Sequence, residues 1–98
     1  MTMLRERAMV SPQAVPALPK HVRIQYDPVR QAFAILSPEK VFWPNEISLD
    51  ILRRCDGRSP VEKIVADLAR EYNATEEDVE ADVTAFIQEW SDKLLVKL

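Results

Sequence analysis

"RRCDGRSPVEKI", residues 53–64, holds the chain's only cysteine, Cys55, and its only glycine, Gly57. Glycine two residues beyond an apolar stripe marks a helix end, because the left-handed backbone that closes a helix costs glycine nothing and costs other residues a steric clash. Directly after it, Ser59, Pro60, Val61 and Glu62 have the pattern of a helix start. Ser59 is placed to accept from the amide of Glu62 while Glu62 reaches back, and Pro60 fits a first helical position whose amide has no partner anyway. The stretch therefore reads as two helices joined by a tight turn. Cys55 falls on the apolar face of the first, where cysteine behaves as a small hydrophobe. A nucleophilic cysteine needs a base and an electropositive setting, and the only histidine, His21, lies far away in sequence.

Upstream, Ile47, Ile51, Leu52 and Cys55 share one face of the first helix, with Asn45 as its cap and Ser48 as a competing start. Downstream, Val61, Ile64, Val65, Leu68, Ala69 and Tyr72 recur at spacings of three and four, the core stripe of a second helix. "NATEED" interrupts it, and Thr75 followed three residues later by Asp78 opens a third helix. This one carries Val79, Val83, Phe86, Ile87, Trp90 and Leu94 on one face, and the tail "LLVKL" is apolar enough to fold back onto the body.

Before Pro44 the period is two. Val22, Ile24 and Tyr26 alternate with polar residues, "DPVRQ" supplies a turn, "AFAIL" (32–36) is a second strand, and "KVFW" (40–43) is a third, stopped by Pro44. Phe42 and Trp43 are adjacent on that strand and point to opposite faces, so at least one meets a second surface. Residues 1–19, with Pro12, Pro16 and Pro19 and no sustained period, read as a flexible arm or linker; the folded domain is expected over 20–98. The parts list is α+β and winged helix-turn-helix-like: a three-stranded antiparallel sheet followed by three helices.

Composition narrows the function. The chain has 98 residues, 47% hydrophobic and 30% charged, with a net charge of −3. That is the balance of one soluble globular domain. It has no apolar run of the roughly 18 residues that span a bilayer and no secretory core, so a cytoplasmic protein without membrane contact is expected. One cysteine and one histidine offer no spaced metal-ligand set, and no cofactor is expected. A winged helix often reads DNA. Here the third helix carries Glu76, Glu77, Asp78, Glu80, Asp82, Glu89 and Asp92 against the single Lys93, a charge that phosphates would repel, and no nucleic-acid partner is expected. No HExxH, GxSxG, glycine-rich loop or triad is present, so an enzyme is not expected either.

What remains is binding. A strand at the edge of a sheet offers unpaired amides and carbonyls to an extended peptide. The third strand, Lys40, Val41, Phe42 and Trp43, is such an edge, with the third helix beside it. An edge of this kind also invites pairing with a second copy of the chain.

Three pieces, "HVRIQYDPVRQ", "ILRRCDGRSPVEKI" and "EDVEADV", in this order and within a span from Leu18 to Leu95, resemble the PqqD family of pyrroloquinoline quinone biosynthesis. The resemblance implies a peptide chaperone that performs no chemistry, a recognition element of pathways that modify ribosomally made peptides. It implies the precursor peptide PqqA as ligand, added as a strand beside the third strand and lying against the third helix. The partner would be PqqE, a radical S-adenosylmethionine enzyme to which the iron-sulfur clusters belong. Fusion to, or association with, the oxidase PqqC is implied as well, which would make the arm over Met1–Ala17 a former linker. Carried over by position, the peptide site comprises Lys40, Val41, Phe42 and Trp43 with Val83, Phe86, Ile87 and Trp90, and the backbone of Val41 and Trp43 makes the ladder. Where family members often have glycine in "DKGL", this chain has "DKLL" at 92–95, which bears on the geometry of the last turn.

Overall fold

The structure, a computed structural model, describes residues 8–98. Three strands, β1 (Arg23–Asp27), β2 (Ala32–Leu36) and β3 (Val41–Phe42), form an antiparallel sheet in the order β1-β2-β3. Three helices follow: α1 (Glu46–Arg54), α2 (Val61–Glu71) and α3 (Glu76–Asp92). The order of elements matches the sequence reading, with β3 shorter than 40–43 because Lys40 belongs to the preceding turn and Pro44 follows one residue after Trp43.

Cross-strand partners share a face of the sheet. Ile35 pairs with Phe42, and both turn toward the helices, where Ile35 is fully buried. Leu36 pairs with Val41, and both turn away. The core lies between the inner face of the sheet and the helices: Val22 and Ile35 meet Ile51, Leu52, Ile64, Leu68, Val83, Ile87 and Trp90 in one cluster. The tail returns to it as expected, with Leu95 and Val96 buried.

Local chemistry explains most boundaries. Asn45 Oδ1 accepts from the amide of Ser48 at 2.8 Å, so Asn45 is the cap of α1. Thr75 Oγ1 accepts from the amide of Asp78 at 3.2 Å at the start of α3. Gly57 has φ +77, as the turn requires. Arg54, paired with Asp50 within α1, ties that helix to α2 by its ion pair with Glu71, and the Tyr72 hydroxyl donates to Asp50 at 2.9 Å.

Four expectations are corrected. Ile47 is 56% exposed: at 100° per residue it stands about a quarter-turn from the direction shared by Ile51, Leu52 and Cys55. Tyr72 and Leu94 leave the core stripes of their helices for the surface, Tyr72 because its hydroxyl is drawn to Asp50 and Leu94 because it lies past the end of α3 with φ +64. The capping box at Ser59 does not form. Asp56 instead holds the turn, its Oδ1 accepting from the amides of Arg58 and Ser59 at 2.8 and 2.9 Å, while the Ser59 hydroxyl donates to Asp56 Oδ2. Pro60 is the cap of α2 rather than its first residue, and it has no side-chain cap bond.

The fourth correction concerns the arm, and it explains the third. The sequence reading sets residues 1–19 outside the fold; 1–7 lie outside the described residues, but 8–19 run along the helices. The amide of Val61 donates to the Ala14 carbonyl at 2.9 Å and that of Glu62 to Pro12 at 3.0 Å, so the arm caps α2. Gly57 donates to the Pro16 carbonyl, and Ala17 and Lys97 exchange two bonds of 2.8 and 2.7 Å. Pro16 is fully buried, and Val10, Ala14 and Leu18 pack on the core. At the arm's upstream end, Gln88 of α3 accepts from the Val10 amide and donates to the Ala8 carbonyl.

Candidate functional site: the open edge of the sheet beside α3

β3, like β1, is an edge strand of the sheet, with β2 on its other side, and it is the edge whose Phe42 meets α3. Its backbone parity follows from the turn before it, where the amide of Ser37 donates to the Lys40 carbonyl at 3.0 Å. Bonded and unbonded pairs alternate along an antiparallel ladder. Leu36–Val41 is thus an unbonded pair and Ile35–Phe42 the next bonded one. The N–H and C=O of Val41 face away from β2, onto the open edge.

Beside that edge, Phe42 of β3 and Phe86 of α3 each lie 5.3 Å from the Trp90 ring, the Phe86 pair stacked and the Phe42 pair tilted. This aromatic trio joins edge strand to helix. Phe42 and Phe86 are half-buried; Trp90, in ring contact with both, is 7% exposed. Asp82 and Glu89 stand four residues before and three after Phe86 on the same ridge of α3, and Lys93 pairs with Glu89 at 2.9 Å.

The eight residues singled out in the sequence therefore divide. Val41, Phe42, Trp43 and Phe86 border the open edge. Val83 and Ile87 are sealed in the core at 1% and 0% exposure, and Trp90 is buried beside them. Lys40 is exposed in the turn before β3. Trp43, 42% exposed, lies on the outer face of the sheet, opposite to Phe42, as strand alternation requires. Sequence reasoning missed Arg30. From the β1–β2 turn it reaches across the outer face and sets its guanidinium carbon over the Trp43 ring, 4.6 Å from the centroid. A cation beyond "DP" in a turn gives no signal of that contact, which depends on the pairing of two strands.

Cys55 fits the inert reading. It is buried, its thiol donates to the Ile51 carbonyl at 3.3 Å, and burial, with the charge of Asp56 behind it, pushes its pKa up to about 12. Among the described residues no group of His, Cys, Asp and Glu is arranged to hold a metal, and no helix is long and apolar enough to cross a membrane.

A winged-helix-like α+β domain with an open edge strand against its third helix is the architecture of the ribosomal-peptide recognition elements. The chain belongs to the PqqD family: the family described as coenzyme PQQ synthesis protein D matches residues 33–96. A "PqqA binding protein" of Rhodopseudomonas palustris (strain HaA2) is 42% identical over 84 residues, 86% of this chain and 82% of the relative. One of the same name from Xanthomonas oryzae pv. oryzae (strain PXO99A) is 39% identical over 83 residues, 85% of this chain and 90% of the relative. The solution NMR structure of the PqqD truncation of Methylobacterium extorquens PqqCD, described as a functional and stand-alone recognition element, superposes with a TM-score of 0.77. It is 30% identical, and the match covers 94% of this chain and 97% of that one. The crystal structure of PqqD from Xanthomonas campestris gives a TM-score of 0.58 at 32% identity, covering 92% of this chain and all of that one.

Proposed function

We propose that this chain is a peptide chaperone that binds the precursor peptide PqqA by strand addition at β3 and presents it to PqqE, performing no chemistry itself. The observation that carries this reading is the outward-facing backbone of Val41 on the open edge, with Phe42 and Phe86 beside it to receive alternate side chains of the added strand. The names of the relatives supply the ligand. The described part of the arm bonds to Gln88 on a flank of α3 distinct from the ridge of Phe86, which leaves the edge uncovered. A duplex reader is disfavoured by the acids of α3.

The test is an NMR titration of the labelled protein with PqqA peptide. Saturable amide shifts concentrated at residues 40–43 and on α3 around Phe86 support the reading. A folded protein with no shifts overturns it, and duplex DNA is the next ligand to titrate.

A further inference from the structure

We propose that the outer face of the sheet is a second part of the peptide site, in which Arg30, held over Trp43, receives a carboxylate side chain of the bound peptide. This rests on strand addition at β3. Side chains of an added strand alternate between the two faces of the enlarged sheet. The peptide residue opposite Val41 shares the face of Val41, the outer one, and its neighbours on either side turn inward to Phe42 and Phe86. Half of the peptide's contacts are therefore made on the side away from α3.

That side is prepared for them. Val41 is 52% exposed, and with Gln25, Ala34, Leu36 and Trp43 it borders a hollow of about 290 Å³ on that face, whose far end is closed by Asp27 and Pro28. Arg30 supplies the charge. Its guanidinium lies over the indole, and among the described residues no carboxylate pairs with it; Asp27, the nearest acid in its turn, accepts instead from the amides of Val29 and Arg30. A guanidinium fixed on a ring keeps a fork of donors free in its plane, the geometry that grips a carboxylate by two bonds. Lysine would supply the charge without the fork. The inner ridge has the opposite sign, with Asp82 beside Phe86, so the two faces would sort the peptide's charges: acidic outward at Arg30, not inward along α3.

The experiment is a double-mutant cycle on PqqA peptide affinity. Arg30→Met keeps the stem over Trp43 and removes charge and donors; it is expected to weaken binding about fivefold, the loss of one charge-assisted contact at a partly covered site. Peptides in which single Asp or Glu residues are replaced by Asn or Gln are titrated against both proteins. One of them loses the same factor on the unchanged protein and nothing on Arg30→Met, and Arg30→Lys falls between. Amide spectra and Trp43 fluorescence verify that the sheet is intact, and Arg30→Gln replaces Arg30→Met if that variant does not fold. Arg30→Met binding as tightly as the unchanged protein, or no acidic position coupling to Arg30, overturns the inference. In that case Val41→Pro still weakens binding if strand addition is correct; a peptide that does not bind the unchanged protein removes both.

Discussion

Among the described residues Gln31, Gly57, Asn73 and Leu94 have a left-handed backbone, and of the two that end helix-flanking turns at 57 and 94 only the glycine suits it. Gly57 at φ +77 carries no side chain to clash, whereas Leu94 at φ +64 places a branched side chain in the turn that ends α3. The turn it makes is otherwise well bonded, with the Leu95 amide donating to the Trp90 carbonyl at 2.9 Å. The left-handed conformation costs an L-residue about 1 kcal/mol. Leu94→Gly is therefore expected to raise the urea midpoint by the equivalent of about 1 kcal/mol, since little burial is lost at an exposed side chain, and Gly57→Ala to lower it by a similar amount. Cys55→Ala is expected to leave peptide affinity unchanged and to reduce stability only, read from the same urea curves beside a peptide titration. The roles of Gly57 and Cys55 were legible in the sequence, because one residue type is nearly unique in its backbone freedom and the other lay on an apolar period. Arg30 was not, because its partner Trp43 is brought to it by β2 lying between their strands.

At the level of elements, the three helices could be read from their periods, and the caps at Asn45 and Thr75 from side chains adjacent in sequence. The start of α2 could not. A main-chain carbonyl from a distant segment caps as well as a serine does, and it has no residue signature, so the pattern at Ser59 suggested a box whose amide is in fact held by Pro12. Asp56, which organises the turn, is held below its ordinary pKa first by the amide of Arg58 and then by that of Ser59. Its contribution is thus present above the unfolded value of about 3.9 and is lost as pH falls through the lower folded value. Asp56→Asn is expected to flatten that part of the acid limb in a pH series of urea midpoints. For the edge strand, Val41→Pro removes an outward amide and no bond to β2. It is expected to weaken PqqA peptide binding about tenfold, a value near that of one ladder bond plus misfit, while α-helical circular dichroism is retained. Unchanged affinity would count against strand addition at this edge.

At the scale of the molecule, the arm belongs to the domain. Its described part supplies hydrogen-bond partners to Gly57, Val61, Glu62, Gln88 and Lys97 and buries Pro16. At roughly 1 kcal/mol for each net bond, deletion through Ala17 is expected to cost on the order of 3–5 kcal/mol, a large share of the 5–15 kcal/mol typical of a domain. Deletion through Arg7 leaves these bonds in place, and the two truncations compared by urea unfolding separate the roles. Three prolines without periodicity pointed to a linker because burial of an irregular segment is decided by the surface it lies on.

The mutual bonds of Ala17 and Lys97 join segments from opposite ends of the chain. During synthesis Ala17 is made long before Lys97, so the pairing waits until the helices between them have been made. Contacts of such wide separation in sequence slow folding, and the peptide edge lies outside the closure they make. The domain should accept relocation of its ends: linking the two segments covalently and opening the chain in the exposed β1–β2 turn would convert a late, entropically costly encounter into a local one.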